Sequence, residues 1–267
     1  MKITFIGCGY MGGAILDGIL TSKIVDAKDI KVLVSTQASV ERIQNEKNVY
    51  TTLDAKCALA ASDIVILAIK PYKFEEVLVP IKAYLQDKLL ISVAAGVTIE
   101  RIYELLGNNS LKVVRTMPNT PACVQEALTS LTFNPFVSEE EKDITRNIFN
   151  AFGKTVEVSE DMIHGVICMS GSSPAYAFML LDAMVQFGEK CGFSKDVAMD
   201  MAGQALLGSA KMLLTSHVDP DIMKQNVCSP NGTTIEAVHS FENDGFYEMV
   251  HKAMQACFDR SVEMSKK

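Results

Sequence analysis

The sequence predicts an α/β protein in two parts, a doubly wound parallel sheet over residues 1–161 and an all-helical domain over residues 162–267. Three observations predict this. Short β-branched runs alternate with helix-like stretches as far as Val158, a glycine-rich turn follows the first run directly, and the strand pattern stops after Asp161. The length of 267 residues agrees, since domains run to about 100–200 residues each.

The runs at 3–6, 31–34, 64–68, 89–93 and 112–115 are almost continuously apolar, as strands covered on both faces must be. Helical patterns lie between them at 12–21, 39–47, 53–60, 74–85 and 98–106. A further pair of runs, 128–133 and 154–158, flanks a helical stretch at 139–152 and extends the sheet. Beyond residue 161 a long helix is expected over 174–191, with Ser173 as its N-cap and Pro174 in its first turn, where a missing N–H costs nothing. Gly192 suits the φ > 0 position that closes such a helix. Ser194 opens a second helix to about residue 215, rich in alanine and glycine. Shorter helices start at Pro220 and Thr233, and a last one covers 246–264.

Residues 175–181 read Ala-Tyr-Ala-Phe-Met-Leu-Leu, with no polar face. A helix that is apolar all round has to be buried on every side. A domain of about a hundred residues has little to bury it with, so the helical half is expected to dimerise with a second copy. Many of the 14 methionines fall there, and their pliable side chains suit an interface.

Composition excludes several classes. Hydrophobic residues make up 48% and charged residues 21%, which rules out a disordered chain. Twenty-five Lys and Arg stand against 32 Asp and Glu, for a net charge of −7 with no basic run, so no nucleic-acid partner is expected. The apolar stretches read as interrupted short of the roughly 20 residues a membrane span needs, and no membrane partner is expected. Seven scattered cysteines lack Cys-x-x-Cys spacing, and the four histidines lack ligand spacing. No metal is expected, and the thiols fit a reducing, cytoplasmic setting. The opening Met1-Lys-Ile-Thr-Phe-Ile-Gly runs straight into a turn rather than a cleavable signal.

Ile6 leads into Gly7-Cys8-Gly9-Tyr10-Met11-Gly12, a dinucleotide (Rossmann) fingerprint placed where it has meaning, between a strand and a helix. Gly7 permits the tight turn, Gly9 lets backbone N–H groups reach a pyrophosphate, and Gly12 lets helix and strand approach. An NAD site usually carries an acid about 20 residues on, for the ribose 2′-hydroxyl. Here the second strand ends Val34-Ser35-Thr36-Gln37, with no carboxylate before Glu41. The hydroxyls of Ser35 and Thr36 favour a 2′-phosphate, so NADPH is preferred over NADH; Arg42 reads equally as an assisting cation or as a solvated helix residue. Ala68-Ile69-Lys70-Pro71 ends the strand across the switch in strand order, and Pro71 holds Lys70 extended. Val93, Ala94 and Ala95 at the next strand end are slim enough for a flat ring to lie against them.

Three further segments carry a family likeness. Arg115-Thr-Met-Pro-Asn-Thr-Pro-Ala122, Ser170-Gly-Ser-Ser-Pro-Ala-Tyr176 and Cys228-Ser-Pro-Asn-Gly-Thr-Thr234 together resemble pyrroline-5-carboxylate reductase, as do the glycine motif, Ala68 to Pro71, and Ser-Val-Ala-Ala-Gly-Val-Thr-Ile from Ser92. The likeness spans essentially the whole chain. Two positions depart from it, Asn231 and Ser173, where the family usually has glycine; Asn tolerates φ > 0 better than most residues. The resemblance implies reduction of 1-pyrroline-5-carboxylate to L-proline, the last step of proline biosynthesis. It also implies interlocked dimers, rings of dimers such as a decamer, and sites to which the partner's helices contribute. It further implies that Thr234 contacts the ring nitrogen and that Asn226 reaches the nicotinamide end of the cofactor.

The residues suit that chemistry. Thr233-Thr-Ile-Glu236 reads as a capping box, so a helix begins there, and N–H groups around Gly232, Thr233 and Thr234 can grip a carboxylate without arginine. Ser229 and Thr234 add hydroxyls and are the candidate catalytic residues. Two other readings fit the residues less well. A hydroxyacid dehydrogenase of this shape calls for an acid or base, commonly lysine, on the first long helix, and residues 174–188 contain none. A non-catalytic NADPH-binding regulator would keep the cradle but has no use for a pocket at 229–234.

Overall fold

The computed structural model describes residues 1–265. Its chain divides into two compact units: Met1–Ser172 with the chain from Cys257 on, and Ser173–Ala256. The sequence pattern places the change of texture at 161/162, whereas the first unit keeps the chain to Ser172 and takes back the last turns of the final helix.

The first unit is built on an eight-stranded sheet in the order β3-β2-β1-β4-β5-β6-β7-β8. The strands are β1 (Ile3–Ile6), β2 (Ile30–Leu33), β3 (Tyr50–Thr52), β4 (Ile64–Leu67), β5 (Leu89–Ser92), β6 (Lys112–Met117), β7 (Ala127–Phe133) and β8 (Gly153–Glu157). Five helices connect them: α1 (Tyr10–Ser22), α2 (Gln37–Lys47), α3 (Ala55–Leu59), α4 (Phe74–Leu78) and α5 (Ile99–Leu106). A sixth, α6 (Glu139–Asn150), bridges β7 and β8. Side chains alternate across a strand. Ile3, Phe5, Ile64, Ile66, Leu89 and Ile91 accordingly enter one buried core with α1 and α6. Ile6, Val65, Leu67 and Leu90 enter another with α4 and α5. Both faces are covered, which is why these strands read as unbroken apolar runs.

Three departures from the sequence pattern have local causes. β3 is an edge strand of Tyr-Thr-Thr, too polar and short to register as an apolar run. The stretch at 74–85 is α-helical only to Leu78 and then 3₁₀ over Val79–Tyr84, because Pro80 lacks the N–H that would continue the ladder. β7 runs antiparallel to β6 while β8 is parallel to β7. The link from β6 to β7 is a single 3₁₀ turn at Thr120–Val124, too short for a crossover, whereas α6 supplies one for β8.

The largest departure concerns Ser173. It does not open a helix. α7 (Ile163–Val166) passes through a π-helical turn at Ile167–Gly171 into α8 (Ser173–Lys190), and the Ser172 N–H donates to the Ile167 carbonyl (2.8 Å) as the wide turn requires. The whole forms one helix, Glu160–Lys190, of 31 residues. The expectation that every apolar stretch falls short of a membrane span is therefore corrected. By length and composition this helix is sufficient, with a mean hydropathy of 1.2 over its best window.

The second unit holds α8, α9 (Lys195–Ser216), α10 (Pro220–Val227), α11 (Thr233–Asn243) and the first part of α12 (Phe246–Ser265). Gly192 takes φ +93° and ends α8 as expected, and the Ser194 hydroxyl accepts from the Val197 N–H to start α9. α8 and α9 pack through small side chains, a Cβ at Gly188 falling 2.9 Å from that of Ala198. Val185, Ala198 and Ala202 form the buried cluster, with Leu181 against it. Phe178, Met179, Phe187, Leu207 and Met212 are each more than half exposed in the single chain.

Within the first unit, Arg115 on β6 is 3% exposed and pairs with Glu160 at 2.9 Å. The same carboxylate oxygen accepts from the Ile99 N–H (2.9 Å), tying the start of α5 to the start of the long helix. Among the described residues nothing bonds the buried Arg115 Nη2, so Glu160 is the main compensation of the guanidinium. His164 bonds Ser261 on α12 (2.8 Å), and burial first, then Arg115, lowers its pKa below 6.5.

Two outcomes are expected. Glu160→Ala leaves an uncompensated buried guanidinium and should cost about 3 kcal/mol in urea unfolding; a loss below one third of that would mean water reaches Arg115. His164 is held neutral in the fold, so its contribution is complete above pH 6.5 and is lost as pH falls through the lowered value. The melting temperature should drop on acidification below that point, and His164→Gln should flatten the slope.

Candidate active site

The cradle is set by what two glycines lack. Gly7 follows β1 at φ +84°, and a Cβ there would lie 2.7 Å from the Ala68 carbonyl oxygen at the end of β4. A Cβ at Gly12 would meet the Ala68 Cβ at 2.8 Å. Their bareness lets α1 start against the gap between β1 and β4, where the strand order reverses. At Gly9 a Cβ would meet nothing within 4 Å, so this stretch of backbone faces open space. Gly9 is also the N-cap of α1, with no side-chain cap and no acid in the first turn. The N–H groups of Tyr10, Met11 and Gly12 have no acceptor within the helix, and the positive end of its dipole is free for an anion.

A groove of about 530 Å³ runs from this turn, lined among others by Ile6, Gly7, Cys8, Gly9, Ser35 and Lys70. Lys70 is extended (φ −68°, ψ 144°) ahead of Pro71, as expected for a residue before proline. Thr36 caps α2, its hydroxyl accepting from the Ser39 N–H (3.2 Å), and no acid occupies the first turn of α2. Arg42 donates to the Cys8 carbonyl (3.3 Å) while paired with Glu46 (3.2 Å), so it spans from α2 to the glycine turn. Burial pushes the Cys8 thiol up to about 11, which keeps it neutral beside the anion site. These residues fit a dinucleotide carrying an extra phosphate: an uncapped helix end, hydroxyls and a guanidinium, with no carboxylate at the end of β2.

The sequence pattern missed part of this groove. Ser39, Tyr72, Lys73 and Glu76 also line it. Ser39 was legible as the partner of a Thr-x-x-Ser cap, whereas Lys73 and Glu76 arrive through the 3₁₀ turn Pro71–Lys73, which no periodicity announces. Ala94 is buried and Val93 half-buried at the end of β5. Ala95 and Gly96 line a separate cavity of about 240 Å³ with Ile167, Cys257, Arg260 and Met264.

In the second unit the segment at 229–232 is a tight turn. The Gly232 N–H donates to the Ser229 carbonyl (3.0 Å), Pro230 sits at the second position and Asn231 takes φ +58° at the third, the requirements of a type II turn. Asn231 thus keeps the conformation that glycine would adopt. The expected capping box does not form. Gly232, not Thr233, is the N-cap of α11, and no side chain caps it. Thr233 and Thr234 become the first two helical residues and Glu236 falls fourth, one place too far on for a capping-box acid. The helix start is therefore open, as an anion grip needs, for a different reason than the one expected.

Gly232 also has a steric role, since a Cβ would lie 2.3 Å from Ser229 Oγ. The Ser229 hydroxyl is thus set over the helix start. Asn226 is exposed on α10, one turn before Ser229. Lys224 fixes that helix, contacting Asp221 (2.8 Å), Glu242 (2.9 Å) and the Tyr247 hydroxyl (3.2 Å), and these contacts raise its pKa. Ser229, Gly232, Thr233 and Thr234 are brought together here, while the glycine turn, Ser35, Thr36 and residues 68–71 come together in the first unit.

Comparison with known proteins gives two family matches. Residues 160–264 match a pyrroline-5-carboxylate reductase dimerisation family, and residues 2–96 match a family of NADP oxidoreductases, coenzyme F420-dependent. Pyrroline-5-carboxylate reductase of Escherichia coli is 41% identical over 266 residues, covering 99% of this chain and 98% of the relative. A solved pyrroline-5-carboxylate reductase from Coxiella burnetii superposes with a TM-score of 0.91 at 34% identity, covering 100% of this chain and 99% of that one. The Plasmodium falciparum pyrroline carboxylate reductase, solved with NADP bound, gives 0.90 at 28% identity over 99% and 98%.

One substitution reads the turn directly. Gly232→Ala has no backbone penalty at φ −86° but must displace the Ser229 hydroxyl. The KM for the carboxylate-bearing substrate should rise at least tenfold, with the melting temperature nearly unchanged. An unaltered KM would remove Ser229 from the site.

Proposed function

This chain belongs to the pyrroline-5-carboxylate reductase family, NADP-using oxidoreductases that reduce 1-pyrroline-5-carboxylate to L-proline, and from that premise we propose how its residues divide the work. The observation that carries the proposal is the pair of uncapped helix starts, one at Gly9 and one at Gly232, each offering N–H groups to a different anion.

The first holds the cofactor pyrophosphate. Cys8 and the backbone of residues 68–71 flank it, while Ser35, Thr36 and Arg42 receive the 2′-phosphate. Bound NADPH supplies the hydride. The second grips the substrate carboxylate through the N–H groups of Thr233 and Thr234, with Ser229 Oγ set over the same helix start. Thr234 Oγ orients the ring nitrogen, Asn226 reaches toward the nicotinamide end of the cofactor, and Val93 and Ala94 give the ring a slim wall.

The chemistry asks for little more. A protonated cyclic imine is already electrophilic. Hydride addition at carbon turns C=N⁺–H into a neutral secondary amine, and the ring nitrogen keeps the proton it arrived with. Positioning then carries most of the rate, and well-oriented reactants gain roughly 7–11 kcal/mol from it. No strong acid is required beside the imine, in keeping with a turn that offers hydroxyls and backbone N–H groups.

The enzyme is a homo-oligomer acting on a small molecule. We further propose a ring of dimers. The exposed apolar side chains of α8 and α9 support pairing, since a contiguous apolar surface of this kind is covered in working proteins. Seven cysteines, none of them in a disulfide, support a reducing, cytoplasmic setting.

The assay is oxidation of NADPH by the purified protein with 1-pyrroline-5-carboxylate, followed by nicotinamide absorbance. Turnover with NADPH should exceed that with NADH, and Thr234→Ala should lower kcat at least tenfold while leaving NADPH binding intact. Cofactor binding without any imine-dependent oxidation would instead identify a non-catalytic NADPH sensor.

A further inference from the structure

The chain passes between its two compact units twice, leaving the first after Ser172 and returning at Cys257. Each crossing carries a thiol. Cys168 lies in the π-helical turn just before the exit, and Cys257 is the first residue after the return. They fall on facing sides of the two helices, since His164, one turn before Cys168, bonds Ser261 (2.8 Å), one turn after Cys257. Cys168 Sγ also lies 3.1 Å from the His164 carbonyl oxygen, and Cys257 Sγ lies 3.3 Å from Ser172 Oγ.

Their surroundings differ in a useful way. Cys168 is 4% exposed, and burial pushes its thiol up to about 11, so it is a poor first nucleophile. Cys257 is half-buried and opens onto the 240 Å³ cavity it shares with Arg260, three residues along the same face of α12.

We propose that Cys168 and Cys257 form a reversible disulfide, which staples the two chain crossings together. The oxidant is a small disulfide of the glutathione type. The Cys257 thiolate attacks one of its sulfurs and expels a small thiolate, leaving a mixed disulfide on Cys257. The Cys168 sulfur then attacks the Cys257 sulfur and expels the second small thiolate. Two protein thiols are oxidised, one small disulfide is reduced to two thiols, and the two protein S–H protons end on them. The new bond closes a loop containing the whole of Ser173–Ala256. Cross-links closing long loops constrain the unfolded chain most. Cytosolic disulfides of this kind are typically transient and redox-sensing.

The test does not depend on the reductase reading, because it reads the bond and not turnover. The fully reduced protein is equilibrated in glutathione buffers from reducing to oxidising, then denatured, alkylated, digested and weighed. A peptide pair joined through Cys168 and Cys257 should accumulate, lighter by two hydrogens (about 2 Da) than its reduced parts, and vanish with dithiothreitol. Oxidised protein should melt roughly 5 °C higher than reduced protein, and neither Cys168→Ala nor Cys257→Ser should show that rise. Should Cys168→Ala fail to fold, Cys257→Ser and the wild-type peptide map still decide. Full alkylation of Cys168 after the most oxidising buffer, or Cys257 found only as its glutathione adduct, would overturn the proposal.

Discussion

The first unit depends on one close approach, that of the α1 start to the end of β4. Two absent side chains, at Gly7 and Gly12, make room for it, and any Cβ would collide with Ala68. From that contact follow the place of the helix N-terminus at the reversal of strand order and the open backbone at Gly9. The groove past Ser35 and Lys70 continues from the same point. The surrounding sheet, buried on both faces, fixes the two contacting elements. A cradle built from backbone has no rotamers to order when an anion arrives, so little entropy is lost on binding.

The second unit obeys the opposite constraint. It has too much apolar surface for its own size. Val185, Ala198 and Ala202 are its buried cluster, whereas Phe178, Met179 and Phe187 on a single helix stand open. Close packing of α8 on α9 through small residues removes one face of each helix and leaves the others bare. A partner copy resolves the imbalance, and the match of residues 160–264 to a dimerisation family agrees. The same reasoning bears on the 31-residue helix. Its hydropathy would suit a membrane, but it continues into the first unit, where Ile163 and Cys168 are buried.

Both proposed anion sites use the same device, a helix start without a side-chain cap. Conventional capping would have been easy at either place. At α1 the residue before the helix is glycine, and at α11 the threonines sit one position too late to cap. Among the other helices Thr36, Thr98, Ser138 and Ser194 accept from a first-turn N–H, while α4 and α7 also start without a side-chain cap. The starts of α1 and α11 differ from those two in having glycine at the N-cap, which suits the two anions of the proposed reaction.

Much of this was legible from residue order. Parallel strands covered on both faces have to be apolar throughout, so β1, β2, β4, β5 and β6 announced themselves, and the spacing of Gly7, Gly9 and Gly12 fixed the cradle because only local backbone geometry is involved. At 229–234 the helix start was legible but its cap was not, since Gly232 and not Thr233 takes the N-cap position. Tertiary structure decided what depends on neighbours distant in sequence. The burial of Arg115 against Glu160, the arrival of Lys73 and Glu76 in the groove, and the meeting of Cys168 with Cys257 all require the folded chain. So does the run of α7 into α8. Ser173 and Pro174 look like a helix start, yet the π turn before them accommodates the proline by widening the ladder, which packing can impose and a residue pattern cannot disclose. Local backbone preference is written in consecutive residues, while partnership across the fold depends on a closure that no short window of sequence contains.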